Sequence, residues 1–406
     1  LEQADETDAM FGELYSWYLR NPEYRSRVQK LVQSAFAGKP KDIISQSVAK
    51  ALYGEVSPYS ATRLERFAAC AFAHFLQYGM KLTERVEYEF KPMDMGNVMH
   101  EALESFAEEV RKRGMKWTEL TEQERNEIAD RCLDNIVADY GNTVLKSSAR
   151  NEYMIERTRR ILRRTVWALQ KQLEQGEFQP EGFEVTFGGG RIDRVDIMED
   201  QNKVYVKVID YKTGNTSFDL VYLYHGLQLQ LMIYLDGALR VEQKKYPDKE
   251  IIPAGVFYYN IKDPMIQEKI DADVEAVSAG LMKELKMNGL AQADPELVYR
   301  MDSSLGSIPV AFNKDGSFRK NSSVADRTQF AVLGRYVRTK IEKIRSSILE
   351  GDAEVSPYEL GKKNACTYCP YMTVCGFDRR LSGYEFRRLK NFSDEELWKA
   401  FDREAE

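Results

Sequence analysis

Hydrophobic residues in the first part of the chain recur every three or four positions, which is the spacing of one face of a helix. Phe11, Leu14, Tyr15 and Tyr18 form the first such stripe, and Pro22 interrupts it. The first 56 residues are therefore predicted to be a helical entry region without catalytic chemistry.

A second helical series begins after residues 57–59. Ser60 is expected to be its N-cap, because a serine oxygen accepts hydrogen bonds from the first free N–H groups of a helix. Apolar residues follow it at helical spacing, namely Leu64, Phe67, Ala71 and Phe75. Further helices are predicted over residues 95–113, 121–141 and 148–175, the second starting with a Thr121/Glu124 capping box.

The pattern changes near residue 183, where β-branched and aromatic residues dominate. Strands are predicted over residues 183–187, 190–196, 206–214 and 254–259, with a helix from about Leu220 to Val241 before the last one. This order and spacing predict a right-handed crossover between parallel neighbours. Residues 285–325 are predicted to be irregular, and helices are expected to begin at Asp326 and at a Ser393/Glu396 capping box. The fold class is predicted to be α/β.

Two of the predicted strands carry acidic residues at their ends. Side chains alternate between the faces of a strand, so Asp210 and Lys212 are expected to point the same way. A hairpin would bring Asp193 beside Asp210, and two carboxylates with one ammonium suit a hard divalent cation. The simpler interpretation, a strand with surface charges, is weakened because these charges interrupt apolar strands. Only Gly188–Gly190 would link the hairpin to the strand before it, which suggests that residues are missing there.

Length and charge limit the class of protein. The 406 residues are 43% hydrophobic and carry a formal net charge of −6, so a wholly basic nucleic-acid coat is excluded but a local basic surface is not. The densest positive run, residues 157–164, is equally well interpreted as a solvated helix face. No run of about 18 apolar residues and no phosphate-binding loop occur. Because no signal peptide or starting Met is present, we expect a cytoplasmic protein cut from a longer one.

Four of the five cysteines form a pattern typical of a metal centre. Cys366, Cys369 and Cys375 are clustered, and Cys70 is the obvious fourth ligand, whereas Cys132 lies in a helical pattern and is expected to be a buried apolar residue. Zinc and a cubane iron-sulfur cluster both accept four thiolates, so the residues alone leave both open. Three clustered ligands and one remote ligand favour the cluster.

Several motifs together resemble one known family. They are Ser60–Glu65 leading to Cys70, residues 96–103 around His100, residues 190–196, residues 209–213, residues 226–235, and the three C-terminal cysteines. In this order, over roughly residues 57–380, the chain resembles the C-terminal nuclease region of the AddB-type subunit of bacterial ATP-dependent helicase/deoxyribonucleases, a RecB-like PD-(D/E)XK nuclease. One departure is Ala71, where the family often has proline.

The resemblance implies roles for individual residues. Asp193 and Asp210 would be metal-binding acids, Lys212 the catalytic lysine, and His100 a metal ligand carried on a helix. Gln230 and Tyr234 would line the active site, and the Tyr211 carbonyl would complete the Mg²⁺ shell, with Mn²⁺ as an alternative ion. The implied ligands of a 4Fe-4S cluster are Cys70, Cys366, Cys369 and Cys375. Glu184 is a further candidate acid, whereas His74 and His225 have no motif in their support.

The resemblance also implies an organisation and a function. We expect a helical remnant of a preceding helicase-like domain (1–56), a helical part of the nuclease domain (57–180), a restriction-endonuclease-like core with a mixed sheet (181–325), and a C-terminal iron-sulfur segment (326–406). The expected function is a magnesium-dependent exodeoxyribonuclease that degrades single strands delivered by a helicase complex with an AddA-type partner, in double-strand break repair. The alternatives are a freestanding CRISPR-associated nuclease and a non-catalytic DNA-binding scaffold.

Overall fold

The computed structural model describes residues 7–36, 43–54, 60–84, 92–139, 148–188, 190–266, 273–381 and 383–405. Its helices are α1 (Thr7–Arg20), α2 (Pro22–Phe36), α3 (Gln46–Tyr53), α4 (Ala61–Ala69), α5 (Ala71–His74), α6 (Pro92–Lys112), α7 (Glu122–Asp139), α8 (Ala149–Glu174), α9 (Leu220–Tyr224), α10 (Gln230–Lys245), α11 (Val274–Glu284), α12 (Pro295–Met301), α13 (Arg327–Glu350), α14 (Met372–Cys375) and α15 (Asp394–Ala405). Its strands are β1 (Gln179–Phe187), β2 (Gly190–Asp200), β3 (Lys203–Lys212), β4 (Glu250–Asn260), β5 (Asn288–Gln292), β6 (Val324–Ala325), β7 (Tyr358–Leu360), β8 (Lys363–Asn364) and β9 (Arg387–Arg388).

The first six strands form one mixed sheet in the order β1-β2-β3-β4-β5-β6. Strands β1, β2 and β3 are antiparallel neighbours, whereas β3 and β4 are parallel and are joined through α9 and α10. The predicted α/β fold with a mixed sheet is therefore confirmed, and so is the parallel pairing across the crossover. The remaining strands form a small sheet in the order β8-β7-β9.

The two faces of the sheet bury separate clusters of side chains. Ile209 and Tyr211 of β3 pack with apolar residues of α6, α7 and α8. Val206 and Val208 of the same strand pack on the opposite face with residues of α4, α10 and α13. This alternation follows the twofold period of a strand. It places Asp210 and Lys212 on the face of α4 and α10.

Two predicted helices are interrupted in the structure. The helix expected over residues 220–241 is two helices, α9 and α10, because Gly226 adopts a left-handed φ of +78° between them. The series that starts at the confirmed N-cap Ser60 breaks at Cys70, whose φ of −166° is extended. Both breaks occur beside candidate site residues.

Of the remaining secondary-structure predictions, one is wrong in part and two helix caps are confirmed. The prediction that residues 285–325 are irregular is wrong in part, because they contain β5, α12 and β6. The capping residues Asp326 and Ser393 are confirmed, since each is paired with the side chain three positions on. The α1 residues Phe11 and Leu14 are exposed, and nothing in the described part of the chain covers them.

Two predicted features involve residues that the structure does not describe. Residues 57–59 and Gly189 lie outside the described residues. Phe187 nevertheless pairs with Gly190, so β1 and β2 are joined as a tight hairpin and the short connection is compatible with two full strands. Among the described residues, no helix is long and apolar enough to cross a membrane. The four domain boundaries stay a prediction.

Candidate active site

The β2–β3 hairpin brings the two acidic strand ends together. Arg194 pairs with Ile209, and the same register extended by one residue places Asp193 opposite Asp210. Both carboxylates are buried, with 8% and 1% of the residue exposed. The two carboxylates also interact electrostatically, because burial and then the charge of Asp193 raise the pKa of Asp210 to about 7. The two candidate metal-binding acids therefore lie at one point, as expected.

A chain of hydrogen bonds fixes the lysine beside them. The Lys212 Nζ atom lies 2.7 Å from the Asp210 Oδ2 atom and donates to the Gln230 Oε1 atom, also at 2.7 Å. The Gln230 Nε2 atom in turn donates to the Tyr234 hydroxyl at 2.9 Å. Gln230 and Tyr234 are four residues apart on α10 and thus share one helix face. The structure places all four predicted residues in one connected network.

His100 on α6 approaches the site from the other side of the sheet end. Its Nδ1 atom lies 3.4 Å from Asp193 Oδ2 and 3.7 Å from Glu184 Oε1. One ligand atom from each of these three residues lies within 4.8 Å of the others, which is compact enough to hold one metal ion. Burial lowers the pKa of His100, but its bonds to the two carboxylates outweigh this effect and raise it to about 10. The donor set attracts positive charge and suits a divalent cation.

Glu184 is more deeply involved than the sequence indicated. It lies opposite Asp193 on the neighbouring strand β1 and forms an ion pair with Arg191. Its φ is +49°, a left-handed conformation that costs about 1 kcal/mol or more for a residue with a Cβ atom. This strained residue carries the carboxylate whose Oε1 atom lies 3.7 Å from His100 Nδ1.

Tyr211 contributes its backbone at the centre of the site. Its N–H donates to Asp193 Oδ2 at 2.7 Å, which holds that carboxylate in place. Its side chain points to the opposite face, is buried, and has its ring centre 6.0 Å from that of His100. The role of the Tyr211 carbonyl as a metal ligand stays a prediction.

Glu65 on α4 is a site residue that sequence reasoning did not single out. Its carboxylate accepts hydrogen bonds from the N–H groups of Leu229, at 2.7 Å, and Gln230, at 3.0 Å, which start α10. Burial raises the pKa of Glu65 to about 7, and both Lys212 and Asp210 act on its charge. The available signal was an acid at helical spacing from the buried positions Ala61 and Ala68.

The four patterned cysteines converge although they lie far apart in sequence. Cys70, Cys366, Cys369 and Cys375 line one small cavity of about 20 Å³, and none of them forms a disulfide. Burial and the three neighbouring sulfurs raise the pKa of Cys366 to about 12, so this thiol keeps its proton unless a metal displaces it. Four sulfurs around one cavity fit a tetrathiolate metal centre. Cys132 is buried in the core among α6–α8 instead, as expected.

The two remaining histidines have structural partners. His74 is fully buried, its Nε2 atom accepts from Arg63 Nε at 3.2 Å, and burial lowers its pKa to about 3. The His225 Nε2 atom lies 2.8 Å from the Lys390 carbonyl and connects α9 to the C-terminal segment. Neither imidazole is part of the metal-ligand group.

Comparison with known proteins agrees with this geometry. The model of the PD-(D/E)XK nuclease superfamily matches residues 58–376, which include the hairpin, His100 and all four patterned cysteines. The chain belongs to the PD-(D/E)XK nuclease superfamily. The fold class expected from the sequence is that of this superfamily.

Individual relatives of this nuclease are much longer. Proteins named as B-type subunits of an ATP-dependent helicase/deoxyribonuclease are 41% identical in Lachnoclostridium phytofermentans, 33% in Thermoanaerobacter sp. and 34% in Alkaliphilus metalliredigens. These alignments cover 98–99% of this chain but only 36–37% of each relative. The chain thus spans little more than a third of the curated relatives that it matches.

Proposed function

We propose that this chain is the nuclease part of a helicase-linked complex and degrades single-stranded DNA from its ends with the aid of Mg²⁺ or Mn²⁺. The names of the relatives support this, because each is called a helicase/deoxyribonuclease subunit. The word subunit implies a partner, for which we propose a second helicase-nuclease chain of the AddA type. The process would be double-strand break repair by recombination, in the cytoplasm.

One observation carries the catalytic proposal: Asp193, Asp210 and Lys212 meet at one sheet end, with His100 and Glu184 beside them. When bound there, a divalent metal ion supplies an acidified water and neutralises charge on the phosphate. Asp193, Asp210 and His100 would hold the ion. Manganese is a reasonable alternative to magnesium because imidazole is a softer ligand than oxygen.

Lys212 is positioned to orient the attacking water. Its ammonium lies between Asp210 and Gln230, so its location is fixed by two partners 2.7 Å away. An ammonium held there can orient the water and stabilise charge that gathers on the phosphate in the transition state. Gln230, itself bonded to Tyr234, holds the lysine from the side opposite to its ion pair with Asp210.

For the second centre we propose a 4Fe-4S cluster held by Cys70, Cys366, Cys369 and Cys375. Such a centre would connect α4 to the C-terminal segment, across nearly 300 residues of sequence. A direct contact supports the same connection, because the Arg387 guanidinium donates to the Ala68 carbonyl of α4. Iron, sulfide and zinc analysis of anaerobically purified protein tests the assignment, and stoichiometric zinc without iron would contradict it.

The two alternatives from the sequence are less well supported. A non-catalytic scaffold has no need of a lysine fixed between a buried carboxylate and a glutamine. A freestanding CRISPR-associated nuclease is disfavoured because the relatives named above are helicase-linked subunits about three times as long as this chain.

The test of the catalytic proposal is Asp210→Ala. We expect cleavage of a labelled single-stranded oligonucleotide to fall by about a hundredfold or more. The fold should survive, because the raised pKa of Asp210 shows that its charged form is unfavourable where it lies. Asp236→Ala is the matched control, because Asp236 also lies on α10 but pairs with Arg240 and with Arg338 of α13, outside the candidate site. Undiminished cleavage by the Asp210 variant would refute the site, and cleavage of circular single strands would refute the requirement for an end.

A further inference from the structure

A large arginine-lined groove lies between α7, α8 and α11, apart from the candidate active site. Its volume is about 740 Å³, within the range of roughly 300–1,000 Å³ that ligand-binding clefts occupy. Six of its lining residues are arginines, namely Arg125, Arg157, Arg159, Arg160, Arg163 and Arg164. The sequence left this basic run without a function.

The positive charge is concentrated on one helix of an acidic protein. Helix α8 carries six arginines and one lysine against three glutamates, whereas the whole chain has a formal net charge of −6. A local basic surface on an otherwise acidic protein attracts polyanions only to that surface. The groove is therefore a specific place for an anionic ligand.

Ion pairs order part of this surface and leave part of it available. Arg159 and Arg163 are held by Asp134 and Asp130 of α7, with N–O distances of 2.7 Å and 2.8 Å. In the described part of the chain, no carboxylate forms an ion pair with Arg157 or Arg164. Two guanidinium groups on a rigid helix thus retain the capacity to bind phosphate.

Aromatic rings accompany the free arginines. The Arg164 guanidinium lies 5.5 Å from the ring centre of Trp167, and Tyr153 on the same helix has 65% of its surface exposed. Bases of a single strand stack on such rings, while the backbone follows the basic groups. A duplex, whose bases are already stacked, would make no use of these rings.

The groove adjoins the sheet end that carries the lysine. Arg160 Nε donates to Asp263 Oδ2 at 2.7 Å. Asp263 follows the end of β4 by three residues, and the last residue of β4, Asn260, pairs with Lys212. The groove is thus joined through Arg160 to the segment that follows β4, at the sheet end that carries Lys212.

We propose that this groove binds a single strand of nucleic acid outside the catalytic centre, with Arg157 and Arg164 on phosphates and Tyr153 and Trp167 against bases. The identity of this strand as the substrate rests on the proposed function; binding itself does not. An acidic face of a protein partner would use the same charges but not the exposed Tyr153 ring, so this ring favours the nucleic acid.

The test measures binding of a fluorescein-labelled oligothymidylate by anisotropy, in EDTA so that nothing is cleaved, at several salt concentrations. Arg157→Ala/Arg164→Ala should weaken binding on the order of tenfold and lower the salt slope by about 1.4, since each lost contact to a single strand contributes about 0.7. Arg131→Ala/Arg335→Ala removes the same charge from exposed positions outside the groove and is the matched control.

The outcomes separate this inference from the proposed function. A groove variant that binds like its control overturns the inference, and so does polyglutamate that competes as strongly as the oligothymidylate. If Tyr153→Ala also weakens binding, with the salt slope unchanged, the stacking contact is supported. A wild type that binds through the groove but cleaves nothing with Mg²⁺ or Mn²⁺ contradicts the proposed function and supports the inference.

Discussion

Glu65 offers the sharpest test of how the active site is held, because it touches the network only through backbone groups. Its carboxylate accepts from the N–H groups of Leu229 and Gln230, so it acts as the N-cap of α10 from another helix. Loss of such a cap costs about 1–2 kcal/mol. Glu65→Ala should therefore lower the free energy of unfolding by about that amount, and Glu65→Gln, which keeps an acceptor oxygen, by less.

Glu65→Ala should also lower the rate of cleavage, and by more than its loss of stability alone would explain. Freed from its cap, the first turn of α10 no longer fixes Gln230, whose side chain positions Lys212. Displacement of a reacting group by about 1 Å can cost up to a hundredfold in rate. We expect the Ala variant to lose about tenfold to a hundredfold in kcat with little change in KM, and the Gln variant to recover most of it. Glu342→Ala, at an exposed pair on α13, is the control.

The raised pKa of Glu65 also makes the stability of the protein depend on pH. The pKa of Glu65 is raised from 4.5 to about 7 by burial, so the folded protein binds this proton more tightly than the unfolded chain does. The resulting stabilisation is complete below about pH 4.5 and is lost as the pH rises through 7. Its upper bound is about 3 kcal/mol. We compare the free energies of urea unfolding of the wild type and the Gln variant between about pH 5 and pH 8, roughly the range of that titration. The stability of the wild type relative to the variant should fall as the pH rises. A difference independent of pH would refute the reasoning.

Two further predictions concern buried groups away from the reaction. Asp196 is fully buried and pairs with Arg194 at 2.5 Å and with Lys207 at 3.0 Å. Because Asp196→Ala leaves two buried cations, it should lower the free energy of urea unfolding by about 3–5 kcal/mol. A loss below about 1 kcal/mol, as expected of an exposed pair, would contradict this. If the proposed iron-sulfur cluster is present, Cys366→Ser should abolish its visible absorbance and lower the melting temperature, whereas Cys132→Ser should leave the absorbance unchanged. Colour retained in the Cys366 variant would remove that ligand from the proposed set.

The sequence predicted the parts of the site that follow a period. Alternation along a strand placed Asp210 and Lys212 on one face, and the hairpin register that brings Asp193 opposite Asp210 follows from the same rule. Capping residues such as Ser60 and Asp326 could be predicted as well, because a cap acts on N–H groups two or three residues away. Interactions within a few residues of one another leave a pattern in the sequence.

The features of the site that could not be predicted from the sequence depend on contacts between residues that are far apart in it. Glu65 caps a helix that begins 165 residues later, and nothing local in the sequence marks that pairing. The strained φ of Glu184 depends on the strand beside it, and the break at Gly226 was hidden within an apolar run that continues on both sides. Tertiary contacts decided each of these, as they commonly override local propensity.

The position of Glu65 also relates the two proposed metal centres to each other. Helix α4 carries Glu65 and ends at Cys70, so the tetracysteine cavity fixes one end of the same nine-residue helix whose carboxylate caps α10. From there the contacts run through Gln230 to Lys212 and Asp210. Glu65 lies little more than one helical turn before Cys70 on this short helix, so a shift at Cys70 displaces Glu65 as well. A cluster with no chemical step of its own would still determine where the lysine lies, because it anchors the element that starts α10.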